Sequence, residues 1–261
     1  MKSVISTLMI ILLAGALCGC GTMKSQTAPA PGVAAAGEQV EEIMPGMLQG
    51  YLTKEEQLDS KEFVLPSPAE DSVRQAMDTA WADNMQALRG TDRWDLAIRD
   101  ADLHFPAPAN VFSCALGIPV SEEDTPALYM LLRRTLTDIG LAPYSAKNAY
   151  QRERPFMVRG ETVCTPDEEE ALRKDGSYPS GHTSIGWGWA LILTELMPDR
   201  AEAILARGRS FGESRNVCNA HCTAMWWRED WWERPRQPSC TRMQSSLRRW
   251  TRPARISTVR A

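Results

Sequence analysis

A chain of 261 residues is long enough for one single-core domain plus a targeting segment and too short for two catalytic domains of ordinary size. Its formal charge of −4 conceals an uneven distribution: residues 1–220 carry 20 Lys+Arg against 30 Asp+Glu, whereas residues 221–261 carry 9 Arg, no Lys and 3 acids. That basic end has neither Gly/Ser spacing nor helical periodicity, so it does not read as a nucleic-acid arm, and no nucleic-acid partner is expected.

Lys2 is followed by an apolar run from Ile5 to Leu17 and then by small residues, the pattern of a secretory signal rather than a membrane span. Residues 1–20 are therefore expected to direct export, which places the protein in the periplasm. Leu17-Cys18-Gly19-Cys20 resembles a lipoprotein cleavage box and makes Cys20 the expected lipid anchor; an ordinary cleaved signal with incidental cysteines is the alternative. Residues 21–46, rich in Ala, Pro, Gly and Gln, cannot bury a core and read as a flexible linker. The folded domain is expected over 47–221. Of the remaining cysteines, Cys114, Cys164, Cys218, Cys222 and Cys240, some can pair in an oxidising compartment, but spacing does not choose the partners. With no CxxC and matching His spacing, no zinc site is expected.

From Pro66 onward helical patterning dominates. Between Ala69 and Leu88, Val73, Met77, Trp81 and Met85 recur at four-residue spacing, which predicts a helix. Thr125-Pro126 reads as an N-cap with Pro at the first helical position, and Leu128, Leu131, Leu132, Leu136 and Ile139 form a stripe that ends at Gly140. Two further helices, Thr183 to Met197 and Arg200 to about Gly212, are separated by Pro198-Asp199. The first is apolar nearly all round, so it is expected at the centre of an all-α, single-domain helical bundle, with Trp187 and Trp189 in the core.

Three segments carry the chemistry: Lys147 with Arg154-Pro155, then Pro179-Ser180-Gly181-His182, then Ser214-Arg215 with His221. A phosphoryl group in transit spreads negative charge over its equatorial oxygens, and catalysis is largely positioning plus stabilisation of that charge. Lys147, Arg154 and Arg215 supply three cations, the arginines with fork geometry and the lysine as a point charge. Ser180 and Gly181 precede the apolar helix, where a hydroxyl and backbone N–H groups meet an anion at a helix N-terminus. Only three histidines exist, His104, His182 and His221; the last two fall inside these segments, and His104 is assigned no role. Arg133, Arg134 and Arg152 read as charges on solvated helix faces.

In order, spacing and residue type, these segments resemble the three-part signature of the type 2 phosphatidic acid phosphatase superfamily. The stretch GSYPSGHTSIGW resembles its soluble bacterial class A nonspecific acid phosphatases, and the likeness runs from about Met47 to His221. The resemblance implies a helical bundle of the acid phosphatase and vanadium haloperoxidase type. It implies His221 as the nucleophile of a phosphohistidine intermediate, His182 as the general acid, and Lys147, Arg154, Ser180, Gly181 and Arg215 as phosphate ligands. The expected substrates are small phosphate monoesters, with no metal and no cofactor. Homo-oligomers are common in that family.

The chain departs from the family after His221. Four residues on, where the family places an Asp that accepts the imidazole N–H, stands Met225. The following Trp/Arg-rich stretch, with five of the nine Trp, replaces an apolar closing helix. Restoring one base after His221 reads Met225-Trp226-Trp227 as a residue whose codon ends in AT, followed by two valines. An Asp is one of four residues open to the first of these. A single-base deletion is therefore expected behind the tail over 222–261, because a structureless basic segment in place of a core helix contradicts the rest of the fold. Loss of that helix is expected to cost an amount comparable to a stability margin of about 5–15 kcal/mol, and a misoriented His221 to lower turnover. The rivals are a noncatalytic phosphate or anion binder, and a vanadate-dependent haloperoxidase, which the chain's small size and signal peptide disfavour.

Overall fold

The computed structural model describes residues 40–222. The signal over 1–20 with Cys20, the linker as far as residue 39, and the tail from residue 223 with Met225 and Cys240 lie outside the described residues. Within them the protein is helical apart from one antiparallel pair, β1 (Glu42–Met44) and β2 (Met47–Leu48), turned at Gly46 with φ 79°. The all-α class holds with that exception. None of the described helices is long and apolar enough to cross a membrane.

The strand pair begins inside the stretch assigned to the linker, a correction to the boundary at Met47. Its order comes from a later helix, α4 (Pro126–Leu141). Thr137 Oγ1 donates to Leu48 O at 2.6 Å, and Arg134 donates to the carbonyls of Gln49 and Gly50 at 3.2 and 2.7 Å. Asp138 accepts from Tyr51 N at 2.7 Å and from Leu52 N at 3.2 Å. The Arg134 guanidinium lies 3.9 Å from the Tyr51 ring centre, and Arg133 reaches Glu42 at 3.5 Å. Neither arginine is the solvated-face charge expected, because both hold this segment down; composition alone does not register partners supplied by a distant helix.

The helix α1 (Val73–Gln86) starts at Ser72, whose hydroxyl accepts from Gln75 N at 3.1 Å. Its four-residue stripe is buried only toward its C-terminal end: Val73 and Met77 are 77% and 54% exposed, Met85 packs partly buried against the second core cluster, and Asp78 and Ala82 are buried. Arg152 Nη2 donates to Asp78 at 2.9 Å, so this arginine too forms a buried ion pair instead of a solvated charge. There follow α2 (Asp92–Ala101), α3 (Ser113–Leu116), α4, α5 (Tyr144–Tyr150), α6 (Pro155–Arg159), α7 (Glu169–Arg173), α8 (Gly181–Leu196) and α9 (Ala201–Val217). The stripe on α4 ends at Gly140, and the helix itself one residue later at the exposed Leu141. That glycine is a contact, since a Cβ there would sit 3.2 Å from Ile185 Cδ1 of α8.

The main core gathers Phe112, Leu132, Leu136, Ile185, Trp189, Leu193, Ile204 and Phe211. Trp189 is fully buried and its Nε1–H donates to Thr135 Oγ1 at 3.0 Å, which satisfies its one polar group. Trp187 is only half-buried and stands apart from this cluster. A second cluster joins Phe156, Val163, Val217 and Ala220 around a disulfide between Cys164 and Cys218, with Cα atoms 4.7 Å apart. The bridge closes a separation of 54 residues, a constraint on the unfolded chain of about 4 kcal/mol on the loop-entropy account. Among the described residues Cys114 and Cys222 have no disulfide partner.

The helix α9 runs five residues beyond Gly212, to Val217, and crosses α8 backbone to backbone. A Cβ on Gly208 would lie 2.5 Å from Ala190 Cβ and 2.6 Å from Gly186 O, and one on Gly186 would lie 2.9 Å from Gly208 O. Both ends of the contact are glycine because nothing larger fits. Gly208→Ala is expected to lower the unfolding free energy by about 2 kcal/mol, read from the urea midpoint. An unchanged midpoint would mean that the two helices part without cost.

Candidate active site

The crossing of α8 and α9 brings their ends to one cavity of about 420 Å³. Lys147 enters it from α5, Arg154 from the position before α6, Gly181 and His182 from the first turn of α8, Arg215 from the last turn of α9, and His221 from the residues after it. Each expected site residue except Ser180 lines this cavity. Ser180 is buried beside it as the N-cap of α8, its hydroxyl accepting from Thr183 N at 3.3 Å; the wall itself is Gly181.

The three cations are buried, Lys147 at 3% exposure and Arg154 and Arg215 at 1%. Removing a charge from water costs several kcal/mol unless partners compensate, and the partners differ. Arg154 is held by carbonyls: its Nε donates to Leu172 O and Asp175 O at 2.8 and 2.9 Å, its Nη1 to Ala220 O at 3.0 Å and its Nη2 to Gly176 O at 3.3 Å. Asp175 Oδ2 bridges Lys147 Nζ at 2.8 Å and Arg154 Nη2 at 3.1 Å. Arg215 has no ion pair among the described residues; its Nη1 reaches only Cys218 Sγ at 3.9 Å, and its Nε has no hydrogen-bond partner. Burial, ahead of the neighbouring Arg154 charge, lowers its pKa to about 10. Burial likewise lowers Lys147 and Arg154, against the pull of Asp175.

His221 sits with its Nδ1 2.5 Å from Ser177 O and its Nε2 3.1 Å from Arg154 Nη1. A carbonyl only accepts, so Nδ1 carries the proton and the Nε2 lone pair faces the arginine. The backbone carbonyl of Ser177 is the Nδ1 acceptor among the described residues, and Met225 lies outside them. His182 Nε2 is 2.9 Å from Ala101 O, which by the same argument is a donated N–H, and its ring stacks on Phe211 at 6.0 Å. Burial first, then the surrounding cations, hold both imidazoles well below the usual histidine range.

Sequence reasoning missed Asp175, which makes the site's only carboxylate contact to its cations among the described residues, and Glu168, which shares the cavity wall. The signal was present as an acid two residues ahead of Ser177-Tyr178-Pro179, inside a segment read for cations and histidines. His104, assigned no role, lies at the rim with its Nδ1 3.0 Å from Asp102 Oδ1 and its side chain 85% exposed. Met47, Leu103, Leu141 and Tyr144 make the rest of the mouth largely apolar. Among the described residues no cluster of His, Cys, Asp and Glu is arranged to hold a metal.

Residues 126–224 match the PAP2 superfamily, a span that contains Lys147, Arg154, Asp175, Ser180, Gly181, His182, Arg215 and His221. A non-specific acid phosphatase of Providencia stuartii is 41% identical over 172 residues, covering 66% of this chain and 69% of the relative. An acid phosphatase of Zymomonas mobilis is 44% identical over 163 residues, 61% of this chain and 60% of the relative. A non-specific acid phosphatase of Salmonella typhimurium is 38% identical over 175 residues, 67% of this chain and 70% of the relative. With three buried cations and two histidines around one cavity, and relatives of this identity and coverage, the chain belongs to the PAP2 superfamily, in its branch of bacterial class A non-specific acid phosphatases.

Proposed function

We propose that this acid phosphatase hydrolyses small phosphate monoesters through a phosphohistidine on His221, in the periplasm, with Cys20 as its lipid anchor. The observation that carries the chemistry is Arg215, buried and without a carboxylate partner on the same cavity as Lys147 and Arg154. A cation so placed costs stability in the empty site and is neutralised when a dianion enters. The Gly181 end of α8 adds backbone N–H groups and the positive end of a helix dipole.

The depressed pKa of His221 keeps its Nε2 lone pair free at acid pH, where an ordinary histidine carries a proton. On binding, a phosphoryl oxygen takes over the Arg154 Nη1 contact, and Nε2 attacks phosphorus. The P–N bond forms as the P–O ester bond breaks, and the leaving oxygen takes a proton from His182. Because Nε2 of His182 is committed to Ala101 O, the working proton is the one on Nδ1. Water then attacks phosphorus and gives a proton back to Nδ1 of His182, and the P–N bond breaks to return the lone pair to His221 Nε2 and release phosphate. His182 must gain a proton before it can act, and the bound dianion supplies the condition by offsetting the cations that depress it.

Turnover by the chain as written is a separate matter from its ancestry. Support for impaired turnover is that the superfamily match ends at residue 224, one residue before Met225. If the tail is genuine, the same cavity makes the chain a phosphate binder without turnover.

Hydrolysis of a chromogenic phosphate monoester at about pH 5–6 is expected to be about 10³- to 10⁴-fold faster when one base is restored after the His221 codon, and absent in both forms after His221→Ala. Equal rates would sink the reading of the tail as a reading-frame error; phosphate binding without turnover in either would establish the binder.

By NMR, His182 and His221 in the empty site are expected to titrate below about pH 6.5, the unperturbed value. Phosphate should move His182 upward, and so should Arg215→Ala in the empty protein, since it removes a positive charge that favours the neutral ring. The sign carries over to stability. The unfolded chain takes protons near 6.5 that the folded rings refuse, so these two groups destabilise the empty fold as pH falls below that value, and phosphate reverses the loss. Titration at an ordinary histidine pKa, unmoved by phosphate, would contradict the assignment.

A further inference from the structure

We propose that the Asp175 carboxylate is a displaceable internal anion, which in the empty site stands where a phosphoryl oxygen binds and must be turned out by substrate. The inference rests on the reading of the cavity as a phosphate site. One oxygen, Oδ2, lies 2.8 Å from Lys147 Nζ and 3.1 Å from Arg154 Nη2, a short bridge between two cations that the resemblance assigns to phosphate. Carboxylate and phosphoryl oxygens are equivalent acceptors for such donors, so the two compete for one place.

The Asp175 carboxylate is not what holds Arg154 in position. Four backbone carbonyls do that, and the carboxylate adds only the Nη2 contact. Nor is the carboxylate locked in: its side chain is 32% exposed while those of Lys147 and Arg154 are 4% and 1% exposed, so it has solvent to turn into. A phosphate dianion outbids it because phosphate reaches Arg215 as well, whereas Asp175 makes no contact with that residue. The carboxylate therefore lowers the cost of three buried cations between turnovers and loosens the hold on product phosphate, since it is ready to take back its place.

The test is calorimetric titration of inorganic phosphate into the full chain at neutral pH, which needs no turnover. Asp175→Asn keeps the size and removes the charge, and is expected to bind phosphate about tenfold more tightly; Asp175→Glu, which retains a carboxylate, is expected to stay near the parent. If Asp175→Asn does not fold, Asp175→Ser takes its place with the same expected direction. Unchanged or weaker binding in the charge-free variants, while Arg215→Ala loses binding, would overturn the proposal and make Asp175 a clamp for Lys147. Arg215→Ala binding as well as the parent, or no binding by any form, would overturn the phosphate-site reading and this inference with it.

Discussion

Burying Lys147, Arg154 and Arg215 around one cavity costs several kcal/mol per charge, and the architecture of the site is the set of ways in which that cost is met or left open. Arg154 is met by backbone: the 172–176 segment and Ala220 turn carbonyls onto it. Lys147 is met by one shared carboxylate and the face of Tyr144 at 4.8 Å. Arg215 is left open. An unmet cation beside two met ones makes the cavity selective for an anion with oxygens pointing in several directions. Burial first, and then the same positive potential, hold the two histidines below the usual imidazole range.

The scaffold makes this density possible by bringing backbones closer than side chains allow. With Gly186 and Gly208 at the crossing, α8 and α9 pack without an intervening layer of side chains. Their ends, carrying His182 and Arg215, then meet at one wall, with Phe211 of α9 stacked on the His182 ring. On the other side Gly140 lets Ile185 approach α4, the helix that also anchors residues 48–52. A core of Trp189, Phe112 and Leu193 behind this junction keeps it dry, which is why the charges at its edge feel each other strongly.

Much of this was legible in the sequence, for reasons that mark the boundary of such reading. Helix α4 announced itself because its apolar stripe faces the core and α8 because it is apolar nearly all round, and the motif residues came together because backbone geometry at helix ends leaves short segments little freedom. Helix α1 was found by a stripe that it buries only in part, since the Asp78–Arg152 ion pair also occupies the inward face. The tethering of residues 48–52 by Arg134, Thr137 and Asp138 was invisible because it joins positions more than eighty residues apart. Asp175 was overlooked for a different reason: a search for groups that attract phosphate passes over the one that resembles it. The disulfide partners became apparent only when Cys164 and Cys218 stood 4.7 Å apart.

That bridge has a topological consequence. Residues 165–217 form a covalently closed loop that contains Asp175, Ser180, His182 and Arg215, with Lys147 and Arg154 just before it and His221 just after. A protease that cuts once anywhere within the loop, for instance in the exposed stretch around Arg173 and Lys174, leaves two polypeptides still joined through sulfur beside the nucleophile. A nicked molecule of this kind retains every residue of the site on one covalent framework, and its intactness on a gel depends on whether the sample buffer contains a reductant.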